Sequence, residues 1–190
     1  VHTKDPRSEP AGEFTHGYAN YDTVSASAYA TGGLAENVSA NIALYSAKQF
    51  DGYGKNIITG NDTYRNWFVG GRAKIAWAPS DRTDILLSVD TDTNYTQNGL
   101  YFRVAPGTMS RGGADSIPPP GLYDAALAVD PYLKVTQTGG SIKVSQDFNF
   151  ANLVSITALR TSTTKLRQES GGSRVPVSLN DIHLKFNTFS

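Results

Sequence analysis

The sequence predicts an all-β fold, an antiparallel up-and-down meander of about seven or eight strands. Three observations carry that expectation. Apolar and polar residues alternate in run after run, no stretch keeps helical periodicity beyond a turn or two, and the connections alternate between short and long. Period two sets one face of a strand against something apolar and the other against something polar. Val38, Ala40, Ile42 and Leu44 alternate with Ser39, Asn41, Ala43 and Tyr45. Trp67, Val69, Gly71, Ala73, Ile75 and Trp77 alternate with Phe68, Gly70, Arg72, Lys74 and Ala76. Ile85, Leu87 and Val89 keep the beat, as do Ile142, Val144, Phe148 and Phe150, and then Val154, Ile156 and Ala158. The first strand is expected near Glu13–Tyr21 and the last near Leu179–Asn187. Tyr123–Val129 is the one segment with a helical hint.

Composition removes several function classes. Lys+Arg and Asp+Glu are both 17 among 190 residues, so the net charge is zero. A nucleic-acid-binding domain would show a basic patch or raised pI, so no nucleic-acid partner is expected. Cysteine is absent, which excludes a disulfide framework, a thiolate metal site and a cysteine nucleophile. No apolar run approaches the length of a transmembrane helix, a fact silent about β-barrels, which cross with alternating strands.

Connection lengths then refine the architecture. Short turns are expected at Gly33–Asn37, Pro79–Arg82 and Phe150–Asn152, with long polar stretches at 47–66, 95–138 and around 167–176. Short turns at one end and long loops at the other are the pattern of outer-membrane barrels, whereas a soluble sandwich turns at regular intervals. Tyr18, Tyr21, Tyr29, Tyr45, Trp67, Trp77, Phe148 and Phe150 fall mostly towards strand ends, as aromatic girdles do. Arg72 and Lys74, set between Trp67 and Trp77, suit a watery lumen better than a dry core. Val69, Ile75, Leu87, Val144 and Ile156 are therefore expected to point outward, and Arg72, Lys74, Lys143 and Asp147 inward.

Several segments, taken in order, resemble the TonB-dependent outer-membrane receptors, the siderophore and iron-complex transporters of Gram-negative bacteria. Val1-His2-Thr3-Lys4-Asp5-Pro6 resembles the segment closing that family's plug domain. Gly17-Tyr18-Ala19-Asn20-Tyr21-Asp22 resembles the end of its first barrel strand, and Thr31-Gly32-Gly33-Leu34 a periplasmic turn. Asp51-Gly52-Tyr53-Gly54-Lys55-Asn56 and Trp77-Ala78-Pro79-Ser80-Asp81 resemble a loop and a second turn. The resemblance implies that residues 1–10 are the end of the plug and its linker, and 11–190 the N-terminal part of a barrel of about 22 strands. It also implies a fragment, an open sheet lacking the box that engages TonB.

Catalytic and metal chemistry have little support, and no cofactor is expected. His2, His16 and His183 are far apart, each without a ligand partner at metal spacing. Asp90-Thr91-Asp92-Thr93-Asn94 opens like a calcium loop, but Tyr95 stands where glycine is needed and Tyr101 where a bidentate glutamate is needed. Solvated acids at the outer end of a strand are the plainer expectation. Gly70-Gly71 and Gly139-Gly140 lack a phosphate-loop context, and Ser145 and Asp147 are polar-face neighbours.

The long loops are the place for a ligand. Ferric siderophores are often anionic and partly aromatic, so arginine charge and tyrosine hydroxyls suit their capture. The candidates are Tyr95, Tyr101, Arg103, Arg111 and Tyr123 in the longest loop, with Tyr53 and Lys55 in the shorter one. For any one of these the plain alternative is a cover over the barrel mouth. The expected function is uptake of a ferric siderophore or similar scarce nutrient across the outer membrane, energised through TonB. The expected partners are the ligand, outer-membrane lipid and, through the plug, the TonB complex. A passive porin-like barrel and a soluble β-sandwich binding module are the alternatives, and no enzyme is expected.

Overall fold

The computed structural model describes residues 4–109 and 116–190. It contains ten strands and no helix among them: β1 (Ala11–Ala19), β2 (Thr23–Ala35), β3 (Val38–Gln49), β4 (Gly54–Lys55), β5 (Asp62–Thr63), β6 (Asn66–Ser80), β7 (Thr83–Thr96), β8 (Tyr132–Asp147), β9 (Asn152–Glu169) and β10 (Leu179–Phe189). Eight of them form one antiparallel sheet in the order β1-β2-β3-β6-β7-β8-β9-β10, and β4 and β5 pair separately. Each long strand therefore lies beside its chain neighbour, as a meander requires. The sheet is open, since β1 and β10 are its edges and do not meet.

Turn chemistry explains the short connections. Pro79 cannot donate to the ladder, and the pairing of β6 with β7 is irregular between Trp77 and Ser80. Asn149 adopts φ 67° in the turn after β8, where the Asp147 carboxylate accepts its N–H at 2.8 Å. Phe148 and Phe150 belong to this turn and not to a strand, because the ladder ends at Asp147↔Asn152. These turns and the β2–β3 turn share one end of the sheet. The loops 50–65, 97–131 and 170–178 share the other, together with the three-residue turn Asn20–Asp22. The long loops are shorter than the sequence suggests. β7 runs on to Thr96, β8 starts at Tyr132 and β9 continues to Glu169, because polar threonine-rich strand segments look like loop in one dimension. The Tyr123–Val129 segment is not helical; Ala125 instead makes a parallel bridge to Asn56.

Directly opposed residues of antiparallel strands share a face. Register therefore sorts the side chains. Ile42, Ala73, Val89 and Gly140 lie in one cross-strand row, and Ala40, Ile75, Leu87 and Ile142 in the next. Val69 and Val144 belong to the same apolar face, which stands exposed: Val69 is 48% accessible and Val89 60%. Arg72, Lys74, Lys143 and Asp147 share the opposite, polar face. Ile156 does not follow the expectation. It pairs with Lys143, so Ile156, Val154 and Ala158 are on the polar face. Apolar and polar residues alternate there, but the phase has slipped by one relative to β8. Tyr29 and Tyr45 also lie on the polar face away from strand ends, where Tyr45 packs on Phe68 at 5.2 Å.

On the polar face Asp90 is paired with charges on two other strands. Asp90 accepts from Arg72 at 3.3 Å and from Arg160 at 2.8 and 3.0 Å, so this acid is paired and not solvated, and β7 continues past Asn94 to Thr96. Arg160 reaches Asp90 by passing over Gly139, where a Cβ would stand 3.0 Å from the guanidinium. The residues before β1 cross the same face. Asp5 pairs with Lys74 at 2.6 Å, Asn41 donates to the Lys4 carbonyl at 3.0 Å, and the Gly33 N–H donates to the Ser8 carbonyl at 2.8 Å.

Candidate functional site

Among the described residues the buried apolar cluster lies at the loop end, since the sheet itself has one layer. Tyr101, Ala125 and Leu127 are buried there, with Tyr64 and Phe102 packed against them. Loop 50–65 and loop 97–131 are joined by side chains that bridge to backbone. Asn56 is fully buried. Its amide donates to the Leu127 carbonyl at 2.8 Å and to Asp130 at 2.7 Å, and its oxygen accepts the N–H of Leu127 and of Ile58. Asp130 also accepts from Thr59 and Asn61. Asp124 accepts the Lys55 and Gly121 N–H groups, and Thr63 donates to the Tyr123 carbonyl at 2.8 Å. Loop backbone that leaves the ladder must find partners elsewhere, and these side chains supply them. Loop 170–178 joins the layer where the Ile117 N–H donates to the Gly172 carbonyl at 2.9 Å.

On this platform sits a cluster of tyrosines. Tyr53 lies 4.5 Å from Tyr21, 5.8 Å from Tyr64 and 5.6 Å from Tyr123 between ring centroids. Tyr64 in turn contacts Tyr101 at 5.0 Å and Tyr123 at 5.9 Å. Tyr21 and Tyr64 both adopt positive φ, at 61° and 60°. Bulky residues rarely do so, and the surrounding contacts hold them there. Tyr21, Tyr53 and Tyr123 are exposed, so the cluster shows aromatic surface and hydroxyls outward.

Of the residues expected from the sequence, Tyr53, Tyr101 and Tyr123 come together. Lys55 stands beside them, paired with Asp62 at 2.7 Å. That hydrogen bond holds the Lys55 ammonium above its ordinary pKa and the Asp62 carboxyl below its own. Arg103 is exposed and donates to the Pro119 carbonyl at 2.9 Å, which leaves most of its guanidinium free to face a ligand. Tyr95 is no loop residue. It lies on β7, on the apolar face, stacked between Trp67 at 5.6 Å and Tyr132 at 5.7 Å. Arg111 lies outside the described residues, as does His2. His16 and His183 sit on the two edge strands, and no group of metal-ligating side chains forms among the described residues. Sequence reasoning missed Tyr64, Asn56 and Asp130. Tyr64 carried a signal as an aromatic between two expected loop ends, but nothing in one dimension marks Asn56 as buried.

Tyr101 lends itself to a test. Burial pushes its phenol pKa far above the ordinary value, and its hydroxyl has no hydrogen-bond partner. An unpaired buried hydroxyl costs free energy. Tyr101→Phe should therefore stabilise the loop layer by about 1 kcal/mol. Limited proteolysis of loop 97–131 measures it, and faster cleavage of the variant would show that the hydroxyl is satisfied.

No family model, curated protein or solved structure matches the chain.

Proposed function

We propose that this chain forms part of the wall and outer loops of an outer-membrane receptor that takes up a ferric siderophore or a similar scarce nutrient, energised through TonB. The observation that carries the membrane part is the bare apolar face and its aromatic limits. Trp67 and Trp77 lie on that face ten residues apart on β6. At about 3.4 Å per residue and a tilt of about 40°, that spacing spans about 26 Å, close to the apolar band of a barrel, about 25 Å tall. A soluble sandwich would cover this face with a second sheet at about 10 Å, and the eight long strands here form a single sheet. The polar face, with its cross-strand ion pairs and the Lys4–Ser8 segment along it, is in keeping with a lumen that holds protein and water.

The knitted loops supply the ligand part. Exposed Tyr53 and Tyr123 can stack on aromatic or planar ligand groups, while Lys55 and Arg103 offer positive charge to an anionic complex. A passive pore would share the wall but would not need such a loop layer. The test is binding of a ferric tris-catecholate and a ferric tris-hydroxamate to the protein in detergent, followed by quenching of intrinsic fluorescence. Tyr53→Ala/Tyr123→Ala should weaken binding of the preferred complex tenfold or more, with the β-sheet circular dichroism unchanged. Equal affinity in both proteins would reduce the cluster to a cover.

A further inference from the structure

A hollow of about 430 Å³ lies on the polar face over the middle of β2, β3 and β6. Register builds it. Ala43 stands between Tyr29 and Arg72 in one cross-strand row, and its methyl group makes the floor. The next row towards the loop end sets Tyr45 opposite Ser27 and Gly70, and the next towards the turn end sets Asn41 opposite Thr31 and Lys74. Small Ser27 and Ala43 leave the space, while Tyr29, Asn41, Tyr45 and Arg72 bound it. Gly70 makes room for the Phe68 ring, which backs Tyr45 at 5.2 Å. The residues before β1 close one side. The Lys4 ammonium lies 4.9 Å from the centre of the Tyr29 ring, and the Lys4 carbonyl accepts from the Asn41 amide at 3.0 Å.

The walls are rich in donors and poor in acceptors. Asn41 and Lys74 are each 7% exposed, so the wall at the turn end is built into the sheet. Lys74 is tied to Asp5 at 2.6 Å, and Lys4 to Glu13 at 3.1 Å. Arg72 is left short of acceptors. Its Nη2 reaches Asp90 at 3.3 Å, a long bond, and Arg160 binds the same carboxylate more closely, at 2.8 and 3.0 Å. Two guanidiniums share one carboxylate there, so one positive charge is uncompensated. The Arg72 Nε is buried with no hydrogen-bond partner, and among the described residues only Nη2 has an acceptor. Donors left unpaired in this way cost free energy that an anion at the guanidinium recovers. Asp92, the next carboxylate on this face of β7, lies across Gly70 from Tyr45 and does not line the hollow.

We infer that this hollow is a binding site for a small aromatic carboxylate. The carboxylate meets the Arg72 guanidinium, whose planar fork matches it. The ring lies against Tyr45, which is 45% accessible and held from behind by Phe68. An aliphatic anion would leave the Tyr45 ring without a partner, and a neutral ring would leave Arg72 as it is. The volume is within the range of small-molecule pockets. The site is separate from the loop tyrosines, and it lies on the polar face, so the assignment stands whether that face lines a lumen or meets open water.

The test is equilibrium dialysis of the protein in a non-ionic detergent, with empty micelles as the baseline and three probes: 2-naphthoate, 2-naphthalenemethanol and cyclohexanecarboxylate. The naphthoate should bind about tenfold more tightly than either of the others, since each of them lacks one of the two contacts. Arg72→Gln, which leaves Asp90 its two bonds from Arg160, should weaken naphthoate binding about tenfold. Ala43→Leu fills the floor while keeping every charge, and should weaken it about as much. Lys143→Gln, on the same face but outside the hollow, should bind as the wild type does. The two variants act by different means, so either one with unchanged β-sheet circular dichroism decides. Wild-type affinity in such a variant overturns the site, as does an absence of naphthoate binding to the wild type. Equal affinity for the three probes overturns the aromatic carboxylate as its ligand.

Discussion

In the whole receptor of which this chain is proposed to be part, Val69→Arg should block membrane assembly, whereas Ile156→Arg should be tolerated. Both positions carry β-branched aliphatic side chains on long strands, and sequence alternation alone assigns them the same role. Register separates them. Val69 lies opposite Ser46 and Thr93 on the bare apolar face, and Ile156 lies opposite Lys143 on the polar one. An arginine facing lipid costs about 2–4 kcal/mol at the midplane and less towards either interface, and Val69 stands two residues inside Trp67; lumen substitutions are milder. The measurement is heat-resistant folded protein in the outer-membrane fraction, read on a gel with and without boiling. Equal loss in both variants would mean that β9 is shifted by one residue against β8. Lys74 is a poorer control than Lys143 for this experiment, because it is 7% exposed and tied to Asp5.

Asn56→Ala should loosen the docking of loop 97–131 on loop 50–65. The change deletes donors to the Leu127 carbonyl and Asp130 and leaves the Leu127 and Ile58 N–H groups without their acceptor. Leaving buried backbone groups unpaired costs about 1–3 kcal/mol each, and the Leu127 amide is the fully buried one. An effect of about 3 kcal/mol is therefore expected on the docking of the loops, with the strand ladder untouched. Rapid proteolysis within 97–131, with the strands still protected, is the expected readout. The binding of the ferric complexes should fall with it, because Tyr123 meets Thr63 and Tyr53 across the two loops and shifts as their docking loosens. A variant as resistant as the wild type would show that the apolar contacts of Tyr101 and Leu127 suffice.

The all-β class, the meander order and the alternation of short turns with long loops were legible in the sequence, because each rests on local chemistry. Period two, Pro79, Asn149 and the polar runs act over a few residues and need no partner to be read. The loop tyrosines Tyr53, Tyr101 and Tyr123 could be named for the same reason, as aromatics in long polar segments. What the sequence left open depends on pairing between distant positions. The extent of β8 and β9, threonine-rich at the loop end, is decided by their ladder partners and not by hydropathy. The facing of Ile156 is decided by its register against Lys143, and a slip of one residue reverses every side chain of a strand. Asn56 reads as an ordinary turn asparagine until residues more than seventy positions away fold over it. The juxtaposition of Lys134 and Lys165 is likewise invisible in one dimension, since two strands of different sequence must be brought side by side before their charges meet. Local periodicity therefore settles which residues form strands, and only the hydrogen-bonded register of the assembled sheet settles which of them share a face and a neighbour.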